Sequence, residues 1–284
     1  MEKLRKAGKA LLALATVFAL VGVLASCGGG GASAAAKEDL VTEITKRGVM
    51  RVGLSIFVPW SFKDKDGVLR GFEIDVASKV AEDLGVKVEF VPTEWSGLIP
   101  ALLTGKFDLI IAGMGIVPER AIKVNFTAPY DYSGMSINAN KKLAPGWYDL
   151  AKFNDPNVIL SVRLGTTAVD AAKKFFPKAQ LRQFDNEAEC EQEVLNGKAH
   201  GVVASAPEPE FWVQKNPDVL YLPLKGKPFT QEPISFALRK GDSDALAFFN
   251  AWITLKQWEG WLEEKHQYWF VQGDWRQYLS AEEQ

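Results

Sequence analysis

Two stretches of this chain are built on one plan. Residues 102–113 read LLTGKFDLIIAG and residues 194–208 read VLNGKAHGVVASAPE. Each leaves an apolar helical pattern through Gly-Lys and enters a β-branched run that stops at a small residue. A helix that ends on Gly and passes directly into a buried strand belongs to a βα repeat, whose strands lie parallel with right-handed crossovers. The same unit, met once in each half of 284 residues, predicts two small α/β lobes, and that length suffices for two modest domains. The match spans only a dozen positions and carries no claim of duplication.

The surrounding periodicity agrees. In the first half, GVMRVGLS reads as a strand and IFVPWSF as a loop, with DKDG at 64–67 a turn. GFEIDVASKVAEDLG sets Phe72, Val76, Val80 and Leu84 on one helical stripe that Gly85 stops. VKVEFVP, SGLIPALLTG and FDLIIAG follow as strand, helix and strand. The second half runs NVILSVRLGTT, AVDAAKKFFP, AQLRQF, EAECEQEVLNG and AHGVVAS in the same alternation. NFTAPYDYSGMSINANK (125–141) is expected to cross between the lobes and ISFALRKGD (234–242) to cross back. The Trp-rich helical stretch after residue 243 is expected to pack as core. Two such lobes joined by two crossings make a hinged clamp, with ligands held outside the carboxyl ends of the strands.

Residues 1–26 are expected to be a secretory signal. Lys3, Arg5, Lys6 and Lys9 form a basic start, and ALLALATVFALVGVLA is an apolar run too short for a comfortable membrane span. It ends in LASC, Leu24 to Cys27, which is similar to a bacterial lipobox. That similarity implies cleavage before Cys27 and its lipidation, hence a membrane anchor. A plain signal peptide with an incidental Cys is the alternative. Residues 28–37, GGGGASAAAK, would be a flexible tether. Cys190 is then the one other cysteine, so no intrachain disulfide is expected, and it should pack as a small hydrophobe on a helix.

Other chemistries find no support. A formal net charge of −2 without a basic patch gives no nucleic-acid footprint. His200 and His266 lack metal-ligand spacing, and neither a G-x-S-x-G nor a phosphate loop is present. No metal and no cofactor are expected.

The block AGMGIVPERAIKVNFTAPY (112–130), together with GFEIDVASKVAEDLG, GTTAVDAAKKFFP, VLNGKAHGVVASAP and FALRKGD, resembles the solute-binding proteins of ABC importers, polar amino-acid type. The resemblance covers roughly residues 40–275. It implies an α/β type II periplasmic-binding fold, a two-lobed clamp whose lobes are each a mainly parallel sheet flanked by helices. It implies lobe 1 at 40–138 plus 233–284 and lobe 2 at 139–232, after a signal peptide at 1–26 and a lipidated Cys and tether at 27–39. It also implies an exported monomer that takes a small carboxylate-bearing solute, an amino acid or analogue, to a membrane permease.

Residue by residue, Arg120 matches the arginine that grips the ligand carboxylate, a task suited to a planar guanidinium fork. Gly113 and Gly115 lie on the loop before it, and the family usually has Ser or Thr at Gly115. Thr166 and Thr167 follow Gly165 at a helix start that favours a carboxylate. Trp95, Phe57 and Trp60 match the aromatic wall, with core packing the alternative for Trp60.

The departure is Ser205, where amino-acid binders of the family usually place an Asp that pairs with the α-ammonium. Either another carboxylate substitutes, Glu208 first and Glu210 second, or the ligand has no α-ammonium. Both glutamates could instead be solvated acids at a helix start. Glu208 also matches the spacing of the catalytic Glu in the related periplasmic cyclohexadienyl dehydratases. That gives an enzymatic alternative in which Glu208 is the general acid on prephenate or arogenate.

Overall fold

A computed structural model describes residues 38–279. The expected signal peptide at 1–26, Cys27 with its expected lipidation, and residues 28–37 of the expected tether lie outside the described residues. The path begins with helix Leu40–Arg47, capped by Asp39, whose carboxylate accepts from the N–H groups of Val41 and Thr42. Gly48, at φ 71°, ends it in the left-handed conformation that glycine adopts without a Cβ penalty.

Then come β1 (Val49–Leu54), β2 (Phe62–Lys63), β3 (Leu69–Arg70), helix Phe72–Asp83, β4 (Lys87–Pro92), helix Leu98–Leu103, β5 (Leu109–Ile110), helix Pro118–Ala121 and β6 (Asn125–Phe126). After β7 (Asp131–Ser133) the chain enters the second lobe with β8 (Met135–Asn140) and β9 (Ile159–Arg163). Helix Thr167–Phe175, β10 (Gln180–Phe184), helix Glu187–Leu195, β11 (Gly201–Ser205), helix Glu208–Lys215 and β12 (Leu220–Tyr221) complete it. The return runs through β13 (Glu232–Ile234) to β14 (Ala237–Leu238) and helices Ser243–Trp258 and Trp261–His266.

Two five-stranded sheets result, ordered β4-β1-β5-β14-β6 and β10-β9-β11-β8-β12. In each, the three strands of the βαβ run are parallel, and one strand from a crossing segment, β14 or β8, is inserted antiparallel. The sheets are therefore mixed, with the parallel part where the helix–Gly-Lys–strand units lie. The crossings pair with each other as β7 and β13, with Glu232 opposite Ser133 and Ile234 opposite Asp131. Two expected boundaries move. All of β8 pairs within the second sheet, so a division at 138/139 cuts a strand. The return crossing is β13, ahead of the expected 234–242, because Ala237–Leu238 already pairs with β5.

Apolar faces close each lobe. Phe72, Val76 and Val80 from one helix stripe meet Met50, Val52, Leu109, Phe236 and Phe249, all fully buried. The second lobe buries Ile137, Leu160, Val162 and Phe176 on one side of its sheet, and Cys190, Val202 and Trp212 on the other. Gly53 shows why β1 carries a glycine: a Cβ there would lie 2.3 Å from the Phe107 ring. Of the C-terminal tryptophans, Trp252, Trp269 and Trp275 are core, whereas Trp258 is exposed.

Beside the hinge, Glu73 is fully buried, with both carboxyl oxygens 2.7 Å from the Tyr130 hydroxyl. Burial pushes this carboxyl up to about 8 against the pull of the Tyr130 bond, and Asp131 adds to the rise. A carboxyl raised on folding holds its proton more tightly in the native state. Its stabilising contribution is complete below its unfolded value of 4.5 and is lost as pH rises through about 8. Glu73→Gln is therefore expected to flatten the fall of melting temperature as pH rises from about 4.5 to about 8, by about 2–4 °C for each kcal/mol regained. Thermal melts of both proteins across that range check it, and parallel curves would remove the assignment.

Candidate functional site

The parallel part of each sheet delivers its strand ends to the space between the lobes. From the first lobe come Phe57 after β1, Trp95 after β4, Gly113 and Gly115 on the loop after β5, and Arg120 on the short helix that follows it. From the second come Arg163 at the end of β9, Thr166 and Thr167 at the following helix start, Glu187 after β10 and Ser205 at the end of β11. The hinge adds Glu232 and Ile234. Together they line a central cavity of about 30 Å³, room for about one or two waters. The clamp is shut.

Hydrogen bonds hold it shut. Trp95 Nε1–H donates to the Gly165 carbonyl at 2.9 Å, and Arg120 Nη2 donates to the same oxygen at 3.2 Å. Arg163 Nη2 donates across the cleft to Ser55 Oγ at 2.6 Å, with Glu94 3.8 Å away. Both guanidinium groups flank the Trp95 ring, their central carbons 5.3 Å (Arg120) and 5.8 Å (Arg163) from its centroid.

Arg120 sits on the one-turn helix Pro118–Ala121 and is only 9% exposed. Nη1 donates to the Gly115 carbonyl at 2.8 Å, which aims the fork into the cavity. Burial draws its pKa below the ordinary arginine range, and Glu232 opposes that shift. Two of its five N–H groups are committed to carbonyls in these bonds, so others remain for an anion. Facing it, Thr166 Oγ1 donates to the Arg163 carbonyl, while Thr167 Oγ1 donates to Glu232 Oε2 at 2.7 Å. Thr167 and Ala168 bring the start of a nine-residue helix to the cavity wall.

Gly113 has φ 61°, and a Cβ there would lie 2.9 Å from the Phe57 ring, so the aromatic wall and the loop approach as closely as they do because the residue is glycine.

The structure thus brings eight of the ten expected positions to one cavity: Phe57, Trp95, Gly113, Gly115, Arg120, Thr166, Thr167 and Ser205. Two lie elsewhere. Trp60 is 2% exposed and stands behind Phe57, stacked on it at 5.7 Å and packed on Phe72 and Phe270. Its bulk supports the wall from the core side. Glu208 neither reaches the central cavity nor sits in solvent: it is buried at the first turn of helix Glu208–Lys215 and lines a neighbouring interlobe groove of about 630 Å³. Glu210 is partly buried and accepts from Ser136 Oγ at 3.1 Å, on yet another surface.

Arg163, Glu187 and Glu232 were not expected. Arg163 had a signal, a charge at the end of the apolar strand ILSVR, directly before Gly-Thr-Thr. Glu187 reads as an ordinary acid after the Asn186 cap, and Glu232 as a loop residue before Pro. Glu187 links cavity and groove, lining both. Burial pushes it up to about 7 and lifts Glu208 well above the ordinary carboxyl range, each held back in part by Arg163. The two carboxyls repel, so the pair keeps a proton at neutral pH. Oε2 of each has no hydrogen-bond partner among the described residues.

Fold and site define a hinged two-lobed binding clamp. Residues 50–272 match the model of the bacterial extracellular solute-binding proteins, family 3, and the chain belongs to that family. It is 30% identical over 257 residues to the L-cystine-binding protein TcyJ of Escherichia coli K12, covering 89% of this chain and 94% of that one. Among solved structures, the ancestral amino acid-binding protein AncCDT-1, a precursor of cyclohexadienyl dehydratase, is 43% identical with a TM-score of 0.74 over 82% of this chain and all of that chain. A putative ABC-transporter binding component from Wolinella succinogenes, complexed with lysine, is 40% identical with a TM-score of 0.75, covering 81% and 99%.

The closing contacts yield a test. Trp95→Phe keeps an aromatic ring but removes the donor to Gly165, a loss of about 0.5–1.5 kcal/mol from the closed form. The ligand-free variant is expected to show a larger radius of gyration by solution scattering. An unchanged radius would mean that this bond does not hold the lobes together.

Proposed function

We propose that this protein is the exported capture component of an ABC importer, tethered by a lipidated Cys27, and that it clamps a free amino acid with a cationic side chain for delivery to a membrane permease. The observation that carries the reading is Arg120, buried in the interlobe cavity with uncommitted donors facing the Thr166–Thr167 helix start. A carboxylate there receives a guanidinium fork from one lobe and helix N–H groups from the other, so its binding joins the lobes. Trp95 and Phe57 would cover the apolar stem. A cationic head would reach the groove lined by Glu187 and Glu208, each of which keeps a buried oxygen without a hydrogen-bond partner among the described residues. The lysine complex of the Wolinella succinogenes protein supports that class of ligand.

A thermal-shift screen with L-lysine, L-arginine, L-glutamine and L-cystine tests it. One or both basic amino acids should raise the melting temperature, and Arg120→Ala should abolish the rise. A rise that survives in the variant would remove Arg120 from the site.

The carboxyl pair adds a pH dependence. A bound cation favours ionised Glu187 and Glu208, whose pKa values fall on binding, so the complex releases a proton and affinity for L-lysine or L-arginine rises with pH around neutrality. Calorimetry in two buffers of different ionisation enthalpy measures the release. Glu208→Gln should diminish it, and equal heats in both buffers would place the cation elsewhere.

A second reading, a dehydratase, is favoured by one observation: Glu208 is a buried carboxyl held protonated, as a general acid must be. Its support is weaker because Glu208 lies in the groove and outside the cavity that holds Arg120. Turnover of prephenate or arogenate by the purified protein would establish it in place of transport.

A further inference from the structure

Ser205 leaves the charge balance of the cavity incomplete. An amino acid brings an α-ammonium as well as a carboxylate, and an ammonium removed from water requires an anion. The Ser205 hydroxyl is instead paired with Ser133 Oγ at 2.7 Å. Directly opposite Ser133 in the hinge pair stands Glu232. Opposed residues of an antiparallel pair project from the same face. Glu232 itself lines the cavity, one strand over from the position where Ser205 supplies no charge.

Its place is made by Gly115. A Cβ on that residue would lie 3.0 Å from Glu232 Oε2 and 3.9 Å from Arg120 Nη1. Two departures in the sequence, a glycine at 115 and a serine at 205, thus have one spatial explanation: the glycine admits a carboxylate that the serine does not provide. Oε2 is steadied by Thr167 Oγ1 at 2.7 Å, and Oε1 lies 3.4 Å from Thr230 Oγ1. Glu187, the other carboxyl on the cavity wall, interacts with Arg163 and Glu208 and serves the adjoining groove.

We infer that Glu232 is the ammonium anchor of this clamp, supplied by the hinge strand in place of a strand-end carboxylate at position 205. Arg120 and Glu232 border the same methyl-sized space beside Gly115. A ligand whose carboxylate rests on Arg120 has its α-nitrogen one carbon away, against Glu232. The inference rests on the amino-acid reading above and specifies how that ligand's zwitterion is neutralised.

Matched ligand pairs isolate the ammonium: L-lysine with 6-aminohexanoate, and L-arginine with 5-guanidinopentanoate, titrated into wild type, Glu232→Gln and the double variant Glu232→Gln with Ser205→Asp. Glu232→Gln should weaken the α-amino acids at least 30-fold while changing the desamino acids less than 3-fold. Aspartate at 205 should restore at least part of the lost affinity. Equal losses for both members of a pair would show that Glu232 only props the hinge. A gain for both would show that it competes for Arg120. Either result overturns the anchor while leaving the clamp reading in place. If neither basic amino acid binds the wild type, the reading under Proposed function fails and the anchor with it. Far-UV circular dichroism and a thermal melt of each variant confirm that a loss of binding is not a loss of fold, and recovery by the double variant is a gain that misfolding cannot produce.

Discussion

Two donors from one lobe, the Trp95 indole N–H and an Arg120 N–H, converge on one carbonyl oxygen of the other, that of Gly165. The closed arrangement depends on this meeting. It fixes the indole between two guanidinium groups, aims the Arg120 fork at the Thr166–Thr167 helix start, and narrows the central cavity to the size of a water or two. A carbonyl has two lone pairs and can accept both donors at once. Gly165, at φ 73°, turns the chain just before the helix, so that its oxygen meets the opposite lobe while Thr166, Thr167 and Ala168 line the cavity.

The same contacts set the energetic problem that a ligand solves. Each interlobe hydrogen bond contributes on the order of 1 kcal/mol net. A few of them bias a hinge without locking it. A ligand that binds only the closed form shifts the balance further by its differential affinity for that state. The carboxyls around the cleft are tuned to the same end. Glu187 and Glu208 are kept partly protonated by burial and mutual repulsion, which lets a shut cleft tolerate them. Glu232 is held by a threonine hydroxyl from the second lobe.

Much of the architecture was legible in the residues. The two helix–Gly-Lys–strand units gave the parallel portion of both sheets, and the block around PERAIKVNF gave Arg120 and its loop. Strand β8 was harder to assign, because MSINAN is buried throughout and carries no alternation that marks its sheet. Its partners β11 and β12 decide that, and the lobe boundary moves with it. Trp60 and Phe57 look alike in IFVPWSF, yet one lines the cavity and the other braces it from the core. Glu232 offered no local sign at all, since its role depends on a register across the hinge.

What the sequence determined by itself is therefore whatever follows from local periodicity and short motifs: the order of helices and strands, two lobes, and a guanidinium just after the β5 loop of the first lobe. Contacts between segments far apart in the chain were decided only by the tertiary structure. These are the pairing of Glu232 with Ser133, the room that Gly115 leaves for a carboxylate, the burial of Glu208 beside Glu187, and the closure of the lobes on Gly165. The reason is physical. Propensity and hydrophobic period act over a few residues, whereas charge balance and steric room in a cleft depend on which distant side chains share it.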